Sequence, residues 1–148
     1  MKNYVAMCLA VVAMVMGTAL AKDADPLAAA KCPISGEAVT ADHAAEYRDG
    51  KVYFCCDKCA AAFKKDAAKH AAKANHQLVL TGQFTQAKCP MSGQDCKSDK
   101  AVKVAEVSVA FCCDNCLKKA NDTKEDERVA LLFADKAFEK GFKPAEKK

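Results

Sequence analysis

The chain has 148 residues, ten of them cysteine, with no tryptophan and a formal charge of +4. That length bounds it to one modest domain or two very small ones. The lysines are spread along the chain rather than massed on one segment, so no nucleic-acid partner is expected.

The N-terminus reads as a signal peptide. Lys2 supplies a positive start, Tyr4 to Met16 is almost wholly apolar, and Ala19-Leu20-Ala21 offers small residues where a signal peptidase cuts. The apolar stretch is short against the about 20 residues that a membrane span needs. The expectation is an exported protein, periplasmic or extracellular, with no membrane partner once residues 1–21 are removed. Losing Lys2 takes the formal charge from +4 to +3, and losing Cys8 leaves nine of the ten cysteines.

A repeat organises the remainder. At an offset of 57, Cys32, Pro33, Ser35, Gly36, Phe54, Cys55, Cys56, Asp57 and Cys59 recur as Cys89, Pro90, Ser92, Gly93, Phe111, Cys112, Cys113, Asp114 and Cys116, without a gap. Asp42, Ala44 and Val52 match Asp99, Ala101 and Val109, giving 12 identities over 28 positions, where chance gives roughly two. The expected organisation is a linker (22–31), a first cysteine-rich module (32–80), a connector (81–88), a second module (89–142) and a polar tail (143–148). Units this small bury too little surface to hold without a staple, and the cysteines are the candidates.

In chain order, Cys-Pro-x-Ser-Gly is a turn, with glycine free to take a positive φ. A hairpin follows, Ala44 to Arg48 and Lys51 to Cys55 about Asp49-Gly50, with Val102 to Val104 and Val107 to Phe111 as its counterpart. Asp57 and Asp114 are placed to cap helices. Ala60 to Ala74 reads as a helix whose Cys59, Phe63 and Ala67 share a face, and the second helix is cut short near Asn121 and Asp122. Gln77 to Leu80 and Arg128 to Phe133 read as short strands, and Ala134 to Lys140 as a helix ended by Gly141. Pro144 and its lysines read as a solvated tail. The fold class expected is α+β, two tandem small modules.

Spacing makes the cysteines a candidate metal site. Cys55 and Cys59 are i and i+4, and Cys56 and Cys59 are i and i+3, so a strand running into a helix aims two or three sulfurs at one place. The turn at Cys32 brings another from a distance. A turn plus a helix N-terminus is a common way to hold zinc, and the helix dipole favours thiolates. Eight thiolates against two divalent ions would bring the +3 to about −1.

These residues resemble the small treble-clef metal-binding modules of the TRASH and YHS type: a Cys-Pro turn, a hairpin ending in Phe-Cys, and a helix opening with a cysteine four residues on. The resemblance implies Cys32, Cys55 and Cys59, with Cys89, Cys112 and Cys116, as ligands of zinc or another thiophilic ion such as copper. It also implies metal sensing, trafficking or resistance. The fuller treble-clef turn has a second cysteine where Ser35 and Ser92 stand, and the preferred substitute as fourth ligand is Cys56 or Cys113. Such a module serves equally well as a protein interaction surface.

Two other readings compete. Export favours disulfides, and Cys56–Cys59 with Cys32–Cys55 is a conceivable pairing. Cys56-x-x-Cys59 at a helix start also resembles a thiol redox pair, but the larger βαβ framework such an enzyme needs has no counterpart in the pattern. Cys96 aligns with Val39 and reads as a buried apolar thiol. His43, His70 and His76 have no counterparts in the second half and read as surface residues. With no nucleophile beside a base, no phosphate loop and no repeated carboxylate pair, the expectation is a binding protein without catalytic residues.

Overall fold

The computed structural model describes residues 25–146, so the expected signal peptide lies outside the described residues. The fold is α+β. Strands β1 (Thr40–Tyr47) and β2 (Gly50–Phe54) form a hairpin, followed by helices α1 (Asp57–Lys65) and α2 (Ala67–Leu80) and the short strand β3 (Phe84–Gln86). The second repeat supplies β4 (Lys97–Val104), β5 (Val107–Phe111), α3 (Asp114–Asp122), α4 (Glu125–Phe133), α5 (Asp135–Gly141) and β6 (Phe142–Pro144).

The hairpins are copies down to their irregularities. Thr40 pairs with Phe54 and Ala44 with Tyr53, so residues 41–43 bulge; Lys97 pairs with Phe111 and Ala101 with Ala110, so residues 98–100 bulge likewise. Buried Val52 and Phe54 alternate with Lys51 and Tyr53, and Val107, Val109 and Phe111 with Ser108 and Ala110, which is the period of a half-buried strand.

Four expectations need correction. The first hairpin turns on Arg48 and Asp49 rather than Asp49-Gly50, because Gly50 already pairs with Tyr47 as the first residue of β2. The helix expected over Ala60 to Ala74 is two helices, because Asp66 leaves helical geometry (φ −147°) and its carboxylate accepts the Lys69 amide at 3.2 Å, capping α2. Gln77 to Leu80 and Arg128 to Phe133 are the ends of α2 and α4, not strands. Each is an apolar run too short for periodicity to arbitrate. In α2 the buried Ala71, Ala74 and Leu78 fall at helical steps, and the run simply extends that face. Finally, Cys56 and Cys113 occupy the N-cap positions, and Asp57 and Asp114 are the first residues inside α1 and α3. Their charge still faces the positive helix end.

The expected helix before Gly141 is α5. The segment expected to be a connector carries β3, which pairs antiparallel with β6, Phe84 opposite Pro144 and Gln86 opposite Phe142. One continuous core joins the repeats: Phe54, Phe63 and Leu78 of the first and Phe111, Leu132, Phe133 and Phe138 of the second belong to the same buried cluster. Phe142 stacks on both Phe133 and Phe138, with centroids 5.3 and 5.2 Å apart.

Candidate metal centre

Each Cys-Pro turn is closed by its own backbone. Gly36 N–H donates to the Cys32 carbonyl at 2.9 Å and Cys32 N–H to the Glu37 carbonyl at 2.8 Å; Gly93 and Cys89 repeat this at 2.7 and 2.8 Å. Gly36 and Gly93 take φ of +80° and +77°, the left-handed region that favours glycine. The turn buries Cys32 and Cys89 while leaving Cys55, Cys59, Cys112 and Cys116 half-exposed. Each cluster thus has one sulfur seated in the core and two at the surface.

The sulfurs of Cys32, Cys55 and Cys59 all lie within 4.8 Å of one another, as do those of Cys89, Cys112 and Cys116. Cys55 and Cys59 are 3.7 Å apart and Cys112 and Cys116 3.8 Å. Sulfurs held 2.3 Å from a tetrahedral zinc stand about 3.8 Å apart, so these edges already have the span of a zinc thiolate site. Cys56 stands 3.7 Å from Cys55, and Cys113 3.6 Å from Cys112, each beside its cluster but outside the group of three. The nine cysteines among the described residues are free thiols.

The serines at the departure from the treble-clef turn touch the clusters. Ser35 Oγ is 3.2 Å from Cys55 Sγ and Ser92 Oγ 3.1 Å from Cys112 Sγ, while each hydroxyl oxygen accepts an amide two residues on. Each serine hydroxyl thus joins its turn to the thiol at the end of the hairpin.

The thiols of one cluster are not equivalent. Burial pushes the Cys32 thiol up, but the Ser35 hydroxyl and the amides of Ser35, Cys55 and Ile34 outweigh it and bring the pKa down to about 6. Burial likewise opposes the Ser92 hydroxyl and neighbouring amides at Cys89, which settles at about 7. Cys59 is pushed up to about 12, by burial first and then because its proton is shared with Cys55, Cys56 and Cys32. Cys116 moves in the same direction for the same reasons. Within each cluster the core thiol is thus the readier thiolate, while Cys59 or Cys116 holds its proton more tightly. A divalent metal ion would supply the charge that offsets gathered thiolates.

Cys56 and Cys113 sit at helix N-termini, where the amides of Cys59 and Cys116 lower their pKa. Beside them, a repeated polar contact links each bulge to its helix: His43 Nδ1 lies 2.8 Å from Asp57 Oδ1, and at the equivalent position Lys100 pairs with Asp114. Sequence reading took these acids as caps and missed the pairing. The available signal was that position 43 maps onto position 100, basic in both repeats.

The other singled-out residues lie elsewhere. His76 Nε2 donates to the Val104 carbonyl at 3.2 Å and packs edge-on to Phe133, bridging the repeats rather than sitting free at the surface. No histidine joins either thiol group among the described residues. Cys96 is half-buried, receives a hydrogen bond from Gln86 Nε2 and points its thiol at the Ala110 carbonyl, both at 3.4 Å. Comparison of the chain with family models, with curated proteins and with solved structures gave no match.

Proposed function

We propose that the chain is an exported, non-catalytic metal-binding protein of the periplasm or extracellular space, built of two TRASH/YHS-like modules that each bind one thiophilic ion, zinc or copper. The observation that carries this reading is the triangle of sulfurs formed twice, with the same serine and the same helix N-terminus against it. Cys32, Cys55 and Cys59 are the ligands of the first site and Cys89, Cys112 and Cys116 of the second. Cys56 and Cys113 are the fourth ligands, reached by a small rotation of a half-exposed side chain at the helix start. Soft thiolate sets favour zinc and copper(I) over oxygen-seeking ions.

The test is native mass spectrometry with thiol counting on protein taken from its own compartment. Two ions per chain are expected, one after Cys112→Ser, and weaker binding at the first site after Cys56→Ser. A metal-free chain with four disulfides would overturn the reading. An unchanged affinity in Cys56→Ser would leave the three-sulfur core and remove the fourth-ligand assignment. Exchange of metal with a competing chelator while the fold persists indicates metal handling, whereas unfolding on chelation indicates a structural ion.

A further inference from the structure

In each repeat the turn that carries the first thiol and the strand that carries the second point backbone groups toward a side chain from outside the shared cassette. In both repeats that side chain is an amide. Gln77, from α2 and fully buried, accepts the Tyr53 amide on Oε1 at 2.6 Å and donates from Nε2 to the Tyr53 carbonyl at 2.9 Å and the Lys31 carbonyl at 3.0 Å. In the second, Gln86 from β3 accepts the Ala110 amide at 2.8 Å and donates to the Ala110 carbonyl at 2.7 Å and the Lys88 carbonyl at 3.0 Å.

The three backbone groups are equivalent across the 57-residue offset, Lys31 to Lys88 and Tyr53 to Ala110, but the glutamines are not. Position 77 maps onto Ala134, and position 86 maps back onto Ala29. One amide comes from a helix and the other from a strand, yet both close the same three bonds. Those bonds flank the ligands: the Lys31 and Lys88 carbonyls belong to the peptide links into Cys32 and Cys89, and Tyr53 and Ala110 stand two residues before Cys55 and Cys112. An amide using its acceptor and both donors in this way has no freedom to turn.

We propose that Gln77 and Gln86 are positioning residues, each fixing the separation of the first and second thiol of its cluster by tying the residue before the one to the strand leading into the other. The proposal rests on the metal reading of the clusters. Partners that orient metal ligands without touching the ion typically change affinity by about 10–100-fold.

Cadmium-113 NMR of the full chain loaded with two equivalents of cadmium tests it, with the two signals assigned through Cys55→Ser and Cys112→Ser. In Gln86→Met, which keeps the length and removes the three backbone bonds along with the contact to Cys96, the second cluster's signal should shift and its cadmium affinity fall about 10–100-fold, with the first cluster unmoved. Gln77→Met should do the reverse. Because Gln77 lies in the core, a loss of apo helical signal in that variant passes the decision to Gln86, which is half-exposed. Unchanged signals and affinities in Gln86→Met, or equal loss at both clusters, overturn the clamp. If the wild-type chain takes up no cadmium, the metal reading fails and the clamp with it, whereas wild-type uptake with an indifferent variant sinks the clamp alone.

Discussion

Ser35 and Ser92 each do two things: the hydroxyl oxygen accepts an amide that closes the turn, and the hydroxyl lies against the second thiol of its cluster. Glycine carries the other constraint at this scale. Gly50 reads as a turn residue, but the turn falls on Arg48, at φ +49°, and Asp49; a Cβ on Gly50 would stand 2.8 Å from both Gln83 Oε1 and Leu78 Cδ2. Gly141 reads as a helix stop, yet its Cβ would lie 2.8 Å from Pro90 Cα and 3.0 Å from Pro90 N. Its carbonyl also accepts the amides of Ala87 and Lys88 at 2.8 and 3.0 Å, just ahead of Cys89. The obstacle is backbone, which does not swing aside. Gly141→Ala should therefore destabilise the protein by about 1–3 kcal/mol, read as a lowered urea midpoint, with metal affinity reduced at the second cluster more than at the first. An unchanged midpoint would mean that the Pro90 turn yields freely. Glycine as a residue type was visible in the sequence, but the neighbour that demands it was not, because Pro90 lies 51 positions away.

The two hairpins show how far an element can be set by its pattern. The second lacks Asp-Gly, and Ala105 and Glu106 take φ of +43° and +72°, a conformation that costs about 1–2 kcal/mol per residue for ordinary side chains. Its register nevertheless equals that of the first. Burial of Val104, Val107, Val109 and Phe111 fixes the register, since a one-residue slip would turn that face to water. The strand expectations for Gln77 to Leu80 and Arg128 to Phe133 failed for the opposite reason: nothing local separates a short buried strand from the buried end of a helix.

Helix α2 meets β4 through His76. Burial holds its imidazole below the ordinary 6.5, against the opposing pull of the Val104 and Ala105 carbonyls. The folded state therefore favours the neutral ring. Its contribution to stability is present above pH 6.5 and is lost as pH falls through the depressed folded value, since the unfolded chain binds the proton more readily. The urea midpoint of metal-free protein should drop between pH 7 and pH 5. His76→Gln, which keeps a donor for the Val104 carbonyl, should flatten that drop; an equally steep fall in the variant would place the titration elsewhere.

At the scale of the molecule, the repeats are tied by contacts that the duplication does not contain. Arg48 in the first hairpin turn reaches Asp135 of α5 at 2.7 Å, with its guanidinium 5.5 Å from the Tyr47 ring and 5.3 Å from that of Phe138. Asn75 donates to the Phe133 carbonyl at 2.8 Å. Phe133 is wholly buried between His76 of one repeat and Phe142 of the other's end. Phe133→Ala should cost about 3–5 kcal/mol, and native-state hydrogen exchange should show α2 and α4 losing protection together. Retained protection in α2 beside a molten α4 would show two independent units.

The sequence by itself determined the cysteine turn, the hairpin and the helix start of each repeat, because those depend on residues close along the chain: proline and glycine in the turn, alternating valine and phenylalanine, a thiol at the helix entry. It also marked eight repeated thiols through their spacing, of which the structure gathers six into two groups of three. Tertiary structure alone decided that the repeats share one core, that the connector pairs with the C-terminal strand, and that two unrelated glutamines serve equivalent backbone groups. Those outcomes rest on contacts between residues far apart in the chain, where a side chain's role is set by what folding brings against it and not by its neighbours in sequence.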